Sequence, residues 1–247
     1  MAMALVTGAS RGIGRATALQ LAQEGYTVAV NYHRNEVAAN DVVNTIIAQG
    51  GKAFAVQADI GDEAQVEAMF ARLDQQDEPL TALVNNAGVL FTQSRVEALT
   101  AERINRVLTT NVTGYFLCCR EAVKRMAIPH GGQGGSIVNV SSAAARLGSP
   151  GEYVDYAASK GAIDTLTTGL SLEVAAQGIR VNGVRPGFIY TEMHADGGEP
   201  GRVDRVKSVL PMQRGGQPEE VAQAIVWLLS EKASYVTGSF IELAGGK

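Results

Sequence analysis

Tyr156 and Lys160 close the stretch SAAARLGSPGEYVDYAASK, which runs from Ser142 to Lys160. Their types and spacing could move a proton. The residues after Tyr156 are good helix formers, Ser159 apart, so the pair falls at i and i+4 on one helix face. A phenol with a reference pKa of about 10 is a poor acid at neutral pH. Bringing it to about 7 takes ~3 units, or about 4 kcal/mol. An ammonium about 4 Å away, at an effective dielectric of about 20, supplies roughly that much Coulomb energy. Lys160 alone could therefore make Tyr156 a usable proton donor and acceptor. The plainer reading is an amphipathic helix with a solvated Tyr and Lys, and the rest of the chain decides between the two.

The elements that would position this pair follow a β-α rhythm. Met3 to Thr7 is a short apolar run that reads as a buried strand. TGASRGIG follows, with Gly8, Gly12 and Gly14, and then a helical pattern ending at Gly25. Strand, glycine turn and helix N-terminus in that order make a phosphate site, because the backbone can approach an anion and free N–H groups point at it. Tyr26 to Tyr32 is the second strand. No Asp or Glu follows it before Glu36, where many NAD sites carry an acid for the ribose hydroxyls. Arg34 is placed to meet a 2′-phosphate instead, and Arg11 lies in the glycine turn. Both could equally be ordinary surface arginines; the pair favours NADP(H) and leaves NAD(H) possible.

Lys52 to Gln57 is the third strand, with Asp59 just beyond it. Asp59 could accept an adenine amino group or cap the helix that begins near Asp62. Leu80 to Val84 is the fourth strand, ending in Asn85, Asn86, Ala87 and Gly88. Thr100 to Met126 reads as one long helical stretch with Asn111, a poor interior helix residue, inside it. Asn111 there could hold a water or bend the helix. Ser136 to Val140 is the fifth strand, ending in Ser141 and Ser142. Ile179 to Val184 is the sixth, followed by Arg185, Pro186 and Gly187. Phe188 to Leu210 is long, mixed and glycine-containing, the pattern of a lid or binding loop. Pro218 opens a last helix, and Gly238 to Leu243 is the last strand. Repetition of β-α without a linker predicts one α/β domain over residues 1–247. It is a Rossmann-type doubly wound parallel sheet of about seven strands, with helices on both faces.

The chain has 247 residues, 46% hydrophobic, and a net charge of −4 without a basic block. That argues against nucleic acid and anionic membrane surfaces as partners. Cys118 and Cys119 are adjacent in an apolar helix and read as reduced core residues. Neither they nor the scattered His33, His130 and His194 offer a metal site. MAMALVTG runs into a strand rather than a signal sequence, and nothing approaches the ~20 apolar residues of a membrane span, so a cytoplasmic protein is expected.

TGASRGIG, NNAG, Asn111, Ser142, YAASK and RPGFIYTEM, in this order, resemble the short-chain dehydrogenase/reductase family over essentially the whole chain. Within it the sequence is similar to bacterial members labelled glucose 1-dehydrogenase and to 3-oxoacyl reductases. The resemblance implies hydride transfer between a nicotinamide and a carbonyl or secondary alcohol. Tyr156 would be the general acid and base, and Lys160 would lower its pKa and hold the nicotinamide ribose. Ser142 would orient the substrate oxygen, with Ser141 its bland neighbour, and Asn111 would anchor a water in a proton relay. Cofactor contacts are implied at Gly8, Ser10, Arg11, Gly12, Ile13 and Gly14 in the turn, and at Asn31 and Arg34 after it. Further contacts are implied at Asp59 and Ile60, at Asn86, Ala87 and Gly88, at Tyr156 and Lys160, and at Pro186, Gly187, Ile189 and Thr191. Tyr153 lacks a lysine four residues on and would line the substrate pocket. A homotetramer or dimer is also implied. Alternatives are an NAD-preferring sugar or polyol dehydrogenase, a 3-oxoacyl reductase acting on a carrier protein, and a nucleotide-binding regulator without turnover. Asp196, Glu199 and Asp204 among Arg202, Arg205 and Lys207 weaken the carrier-protein idea.

Overall fold

Side-chain alternation along the first strand sets the layers. In the computed structural model, which describes residues 2–247, β1 is Met3–Val6. Met3 and Leu5 enter one core while Ala4 and Val6 enter the other, as the period-2 geometry of a strand requires. The chain continues through α1 (Gly12–Gln23), β2 (Thr27–Tyr32), α2 (Glu36–Ala48), β3 (Lys52–Gln57), α3 (Glu63–Leu73) and β4 (Leu80–Asn85). After α4 (Ala101–Leu108) and α5 (Gly114–Met126) come β5 (Gly135–Val140), α6 (Ala144–Leu147) and α7 (Val154–Val174). The last part is β6 (Ile179–Pro186), α8 (Met193–Asp196), α9 (Arg202–Val206), α10 (Pro218–Leu229) and β7 (Phe240–Leu243).

The seven strands form one sheet in the order β3-β2-β1-β4-β5-β6-β7, every pair parallel. Residues of α3, α5 and α7 fill one core, and residues of α1, α2 and α10 fill the other. The order reverses between β1 and β4, so a crevice opens at their carboxyl ends, where ligands bind in such sheets. The doubly wound α/β sheet expected from the sequence is the one observed. Among the described residues, no helix is long and apolar enough to cross a membrane.

Two segments differ from the sequence reading. The stretch from Thr100 to Met126 is not one α-helix, because a single π-helical turn, Thr109–Thr113, divides α4 from α5. Asn111 lies in that turn, fully buried. Its amide donates to the Val89 carbonyl (3.1 Å) and the Ser159 hydroxyl (3.2 Å), and its Oδ1 accepts from the Val89 N–H at 2.8 Å. These bonds anchor the side chain outside its own helix, at the point where the helical ladder widens. The second difference is the segment 188–210, which is not a plain loop but carries α8 and α9. Its anchor is Arg202, 7% exposed, which pairs with Glu152 before the Tyr156 helix and with Glu199 at 3.0 Å. Arg205 also pairs with Glu199, and the Tyr153 hydroxyl donates to the Gly197 carbonyl at 3.2 Å.

Candidate active site

The glycine turn is shaped by what leans on it. Gly8 and Gly12 have φ of +61° and +53°, the left-handed region that favours glycine. A Cβ on Gly14 would lie 2.5 Å from both Asn86 Nδ2 and the Gly8 carbonyl. The NNAG stretch therefore packs on the turn itself, with Asn86 Nδ2 donating to the Thr7 and Gly8 carbonyls at 2.9 and 3.1 Å. The Thr7 hydroxyl accepts from the Asn86 and Ala87 N–H groups at 2.9 and 3.1 Å. Thr7 was not singled out in the sequence, because its role depends on a strand nearly eighty residues away.

The start of α1 is open. Asn35, Asp62 and Thr100 cap α2, α3 and α4 with side-chain oxygens. α1 has no side-chain cap and no acid in its first turn. Uncapped N–H groups behind a glycine cradle are the donor set that fits a dinucleotide pyrophosphate. Ser10 and Ile13 sit half-buried in that turn. Thr191 lies across from it, its methyl 3.3 Å from where a Gly12 Cβ would be. The segment from Pro186 to Thr191 is held in place by Gly187 N–H to the Leu243 carbonyl (3.0 Å) and by buried Ile189 bridging to Gly216. A cavity of about 480 Å³ borders the turn between Gly12, Thr191, His194 and Val203.

Four expected cofactor residues are used differently. Asn31 is buried, its Oδ1 accepting from the Gly8 N–H (3.1 Å) and its amide donating to the Val56 and Ala58 carbonyls (3.3 and 3.2 Å). It supports the turn and presents no free amide. Arg11 pairs with Asp196 of α8, tying the turn to the 188–210 segment. Ile60 is a core residue against Gly114, so a contact from it would be through the main chain. Asp59 is not the α3 cap; Asp62 is. Asp59 instead accepts from the Gly61 N–H at 2.9 Å and faces His33 at 3.6 Å. Arg34 is exposed and, among the described residues, makes no ion pair.

The proton-moving residues converge. Ser142, Tyr156 and Lys160 meet at the end of β5, with Ser142 beside the Tyr156 phenol and the Ser142 hydroxyl donating to the Pro186 carbonyl at 3.4 Å. Ser141 turns inward, its hydroxyl donating to the Lys160 carbonyl at 3.2 Å, which separates the two serines. Lys160 is 2% exposed. Its Nζ donates to the Val140 carbonyl at 2.7 Å and the Tyr115 hydroxyl at 3.4 Å. It stands 5.5 Å from the centre of the Tyr156 ring. The expectation that Lys160 draws the phenol toward neutrality is not met in this geometry. Burial pushes Tyr156 up to about 12, with the polar Ser142 beside it pulling the other way. Burial pulls Lys160 down to about 7, and Asp164 opposes that. Both charged forms lose solvation, and that loss exceeds their mutual attraction. Cys118 and Cys119 are free, buried thiols whose pKa values burial raises, Cys119 to about 12.

A fold with this strand order, an open glycine turn and a Ser-Tyr-Lys cluster at the strand ends describes a class of dinucleotide-dependent enzymes. A family model described as Enoyl-(Acyl carrier protein) reductase matches residues 8–247. The uncharacterized oxidoreductase YgfF of Escherichia coli K12 is 83% identical over 247 residues, 100% of both chains. The 3-oxoacyl-(acyl-carrier-protein) reductase FabG of Staphylococcus aureus Mu50 is 40% identical over 243 residues, 98% of this chain and 96% of its own. A short-chain dehydrogenase from Burkholderia cenocepacia J2315, solved in complex with NADP, superposes with a TM-score of 0.90 at 33% identity, covering 99% of this chain and 97% of that one. The chain belongs to the short-chain dehydrogenase/reductase family and is an oxidoreductase of that family.

Proposed function

We propose that the protein moves a hydride between NADP(H) and a carbonyl or secondary-alcohol substrate, with Tyr156 as general acid in reduction and base in oxidation. The observation that carries this reading is the convergence of the Ser142 and Tyr156 hydroxyls beside the buried Lys160 ammonium. The nicotinamide supplies or accepts the hydride when bound. At neutral pH Tyr156 is a neutral phenol, the form that gives its proton to a substrate oxygen; Ser142 holds that oxygen in line. Lys160 stabilises the phenolate left behind and carries a fraction of its own protons near pH 7. The Asn111 amide is already spent on Val89 and Ser159. A relay water near it would therefore be held by the main chain of the π-turn.

NADP(H) is favoured over NAD(H) by the unpaired Arg34 and the missing acid after β2. Arg34 alone would read the 2′-phosphate, since Arg11 is committed to Asp196. The segment 188–210 acts as the lid. A small carbonyl compound suits the site better than a carrier-bound acyl chain: Arg202, Arg205 and Lys207 are each paired with a carboxylate, leaving no basic patch on the lid. A homotetramer or dimer is part of this reading, supported by exposed Phe116 and Leu172 on α5 and α7.

The test is a cofactor-oxidation screen of the purified protein, pairing NADPH and NADH with aldehydes, diketones, keto sugars and 3-oxoacyl thioesters. Turnover with one carbonyl class and NADPH preferred is the expected result. NADPH binding without turnover on any class would favour a regulator. In Arg34→Ala, NADPH affinity should fall about tenfold or more while NADH affinity holds, matching the loss of one charge-assisted phosphate contact; unchanged NADPH affinity would remove Arg34 from this role.

A further inference from the structure

Tyr115 is a second phenol on the Lys160 ammonium. It follows the π-turn by two residues, at the start of α5, and is fully buried. Its hydroxyl donates to the Val140 carbonyl at 3.2 Å and accepts from Lys160 Nζ at 3.4 Å. Nζ also donates to the same Val140 carbonyl, at 2.7 Å. These three groups close a triangle between β5, α5 and α7. Nζ lies 5.2 Å from the centre of the Tyr115 ring and 5.5 Å from that of Tyr156. The ammonium is thus bracketed by two aromatic faces, both attractive to a cation.

We propose that Tyr115 is a positioning residue, whose hydroxyl and ring hold the Lys160 ammonium in reach of Tyr156 and keep it charged to higher pH. This rests on the reading of Tyr156 and Lys160 as the proton-transfer pair. A buried ammonium needs acceptors for its three N–H bonds. Val140 and Tyr115 supply two, leaving one for the open side of the site. Tyr115 suits the task because burial raises its pKa well above the usual phenol range, so it stays a neutral oxygen acceptor. The other titratable or charged groups around Lys160 are few. On its own helix, Tyr156 is neutral and Asp164 raises the lysine's pKa. Arg185 of β6 pairs with Asp164 at 3.0 Å and blunts that effect. Cys118 and Cys119 of α5 are held as neutral thiols. Tyr115 is therefore the neutral side chain whose hydroxyl accepts a hydrogen bond directly from Nζ.

Tyr115→Phe deletes one oxygen and keeps the ring. It removes an acceptor that favours the charged lysine, so the Lys160 pKa should fall by about half a unit to one unit. The high-pH limb of kcat for reduction should move down by the same amount, with KM for the carbonyl little changed. Tyr115→Leu removes the ring as well and should move the limb further the same way. Competitive acetylation with mass spectrometry reads the Lys160 pKa in the protein without substrate. A downward shift there and in the kcat limb supports the proposal. A Lys160 titration and limb that superpose on wild type, with only thermal stability lost, overturn it. Should Tyr156→Phe retain full turnover, the underlying reading fails, and the acetylation titration still decides whether Tyr115 holds the lysine.

Discussion

Lys160→Met should flatten the pH dependence of stability between about pH 7 and pH 8.5. Lys160 titrates near 7 in the folded protein and at 10.5 in the reference state. A pKa depressed on folding means that the unfolded chain binds more protons across that window, so wild-type stability rises with pH there. The limiting slope is about 1.4 kcal/mol per pH unit for one group. Close to pH 7 the folded lysine is itself half-protonated, and the slope begins at about half that value. The gain from pH 7 to pH 8.5 is then about 1–2 kcal/mol. Above that range the raised thiols of Cys118 and Cys119 act oppositely, since stability is lost as the unfolded cysteines ionise. The assay is urea unfolding followed by far-UV circular dichroism at both pH values, at one protein concentration so that association contributes equally. The quantity is the change in wild type minus the change in Lys160→Met. Parallel changes in the two proteins would refute the burial argument for this lysine.

Gly14→Ala places a Cβ 2.5 Å from Asn86 Nδ2 and the Gly8 carbonyl. It should cost about 1–3 kcal/mol and weaken NADPH binding together, read by thermal unfolding and fluorescence titration; unchanged binding would mean that the turn tolerates displacement. Arg202→Ala removes the buried cation shared by Glu152 and Glu199. It should make the 188–210 segment more sensitive to limited proteolysis, more so than high salt makes wild type. An unaltered digestion pattern would show that Tyr153 and Arg205 suffice to hold it.

The sheet was legible because each strand is a short apolar run punctuated by glycine or a polar turn. The boundaries of β2 and β3 fall within about a residue of the sequence reading for that reason. Tyr156 and Lys160 were legible because helix periodicity is local and places them together without tertiary knowledge. What escaped depends on partners distant in sequence. Asn31 reads as a ligand residue until its amide is seen spent on Gly8, Val56 and Ala58. The π-turn at Asn111 is invisible in composition, because its anchors come from Val89 and Ser159. Tyr115 carries no local mark at all: a tyrosine inside an apolar helix is ordinary until Lys160 is found on its hydroxyl. The phenol's pKa is not legible in the spacing for the same reason, since a Coulomb attraction between neighbours omits the desolvation that burial imposes on both partners.

NADPH oxidation by Tyr156→Phe, measured beside wild type on the substrate class that the screen identifies, separates a proton-donating Tyr156 from a merely structural one. NADPH binding is titrated on the same samples. Turnover should fall by about 10²-fold or more while NADPH affinity stays within about twofold. Turnover equal to wild type, with binding intact, would contradict Tyr156 as the proton donor.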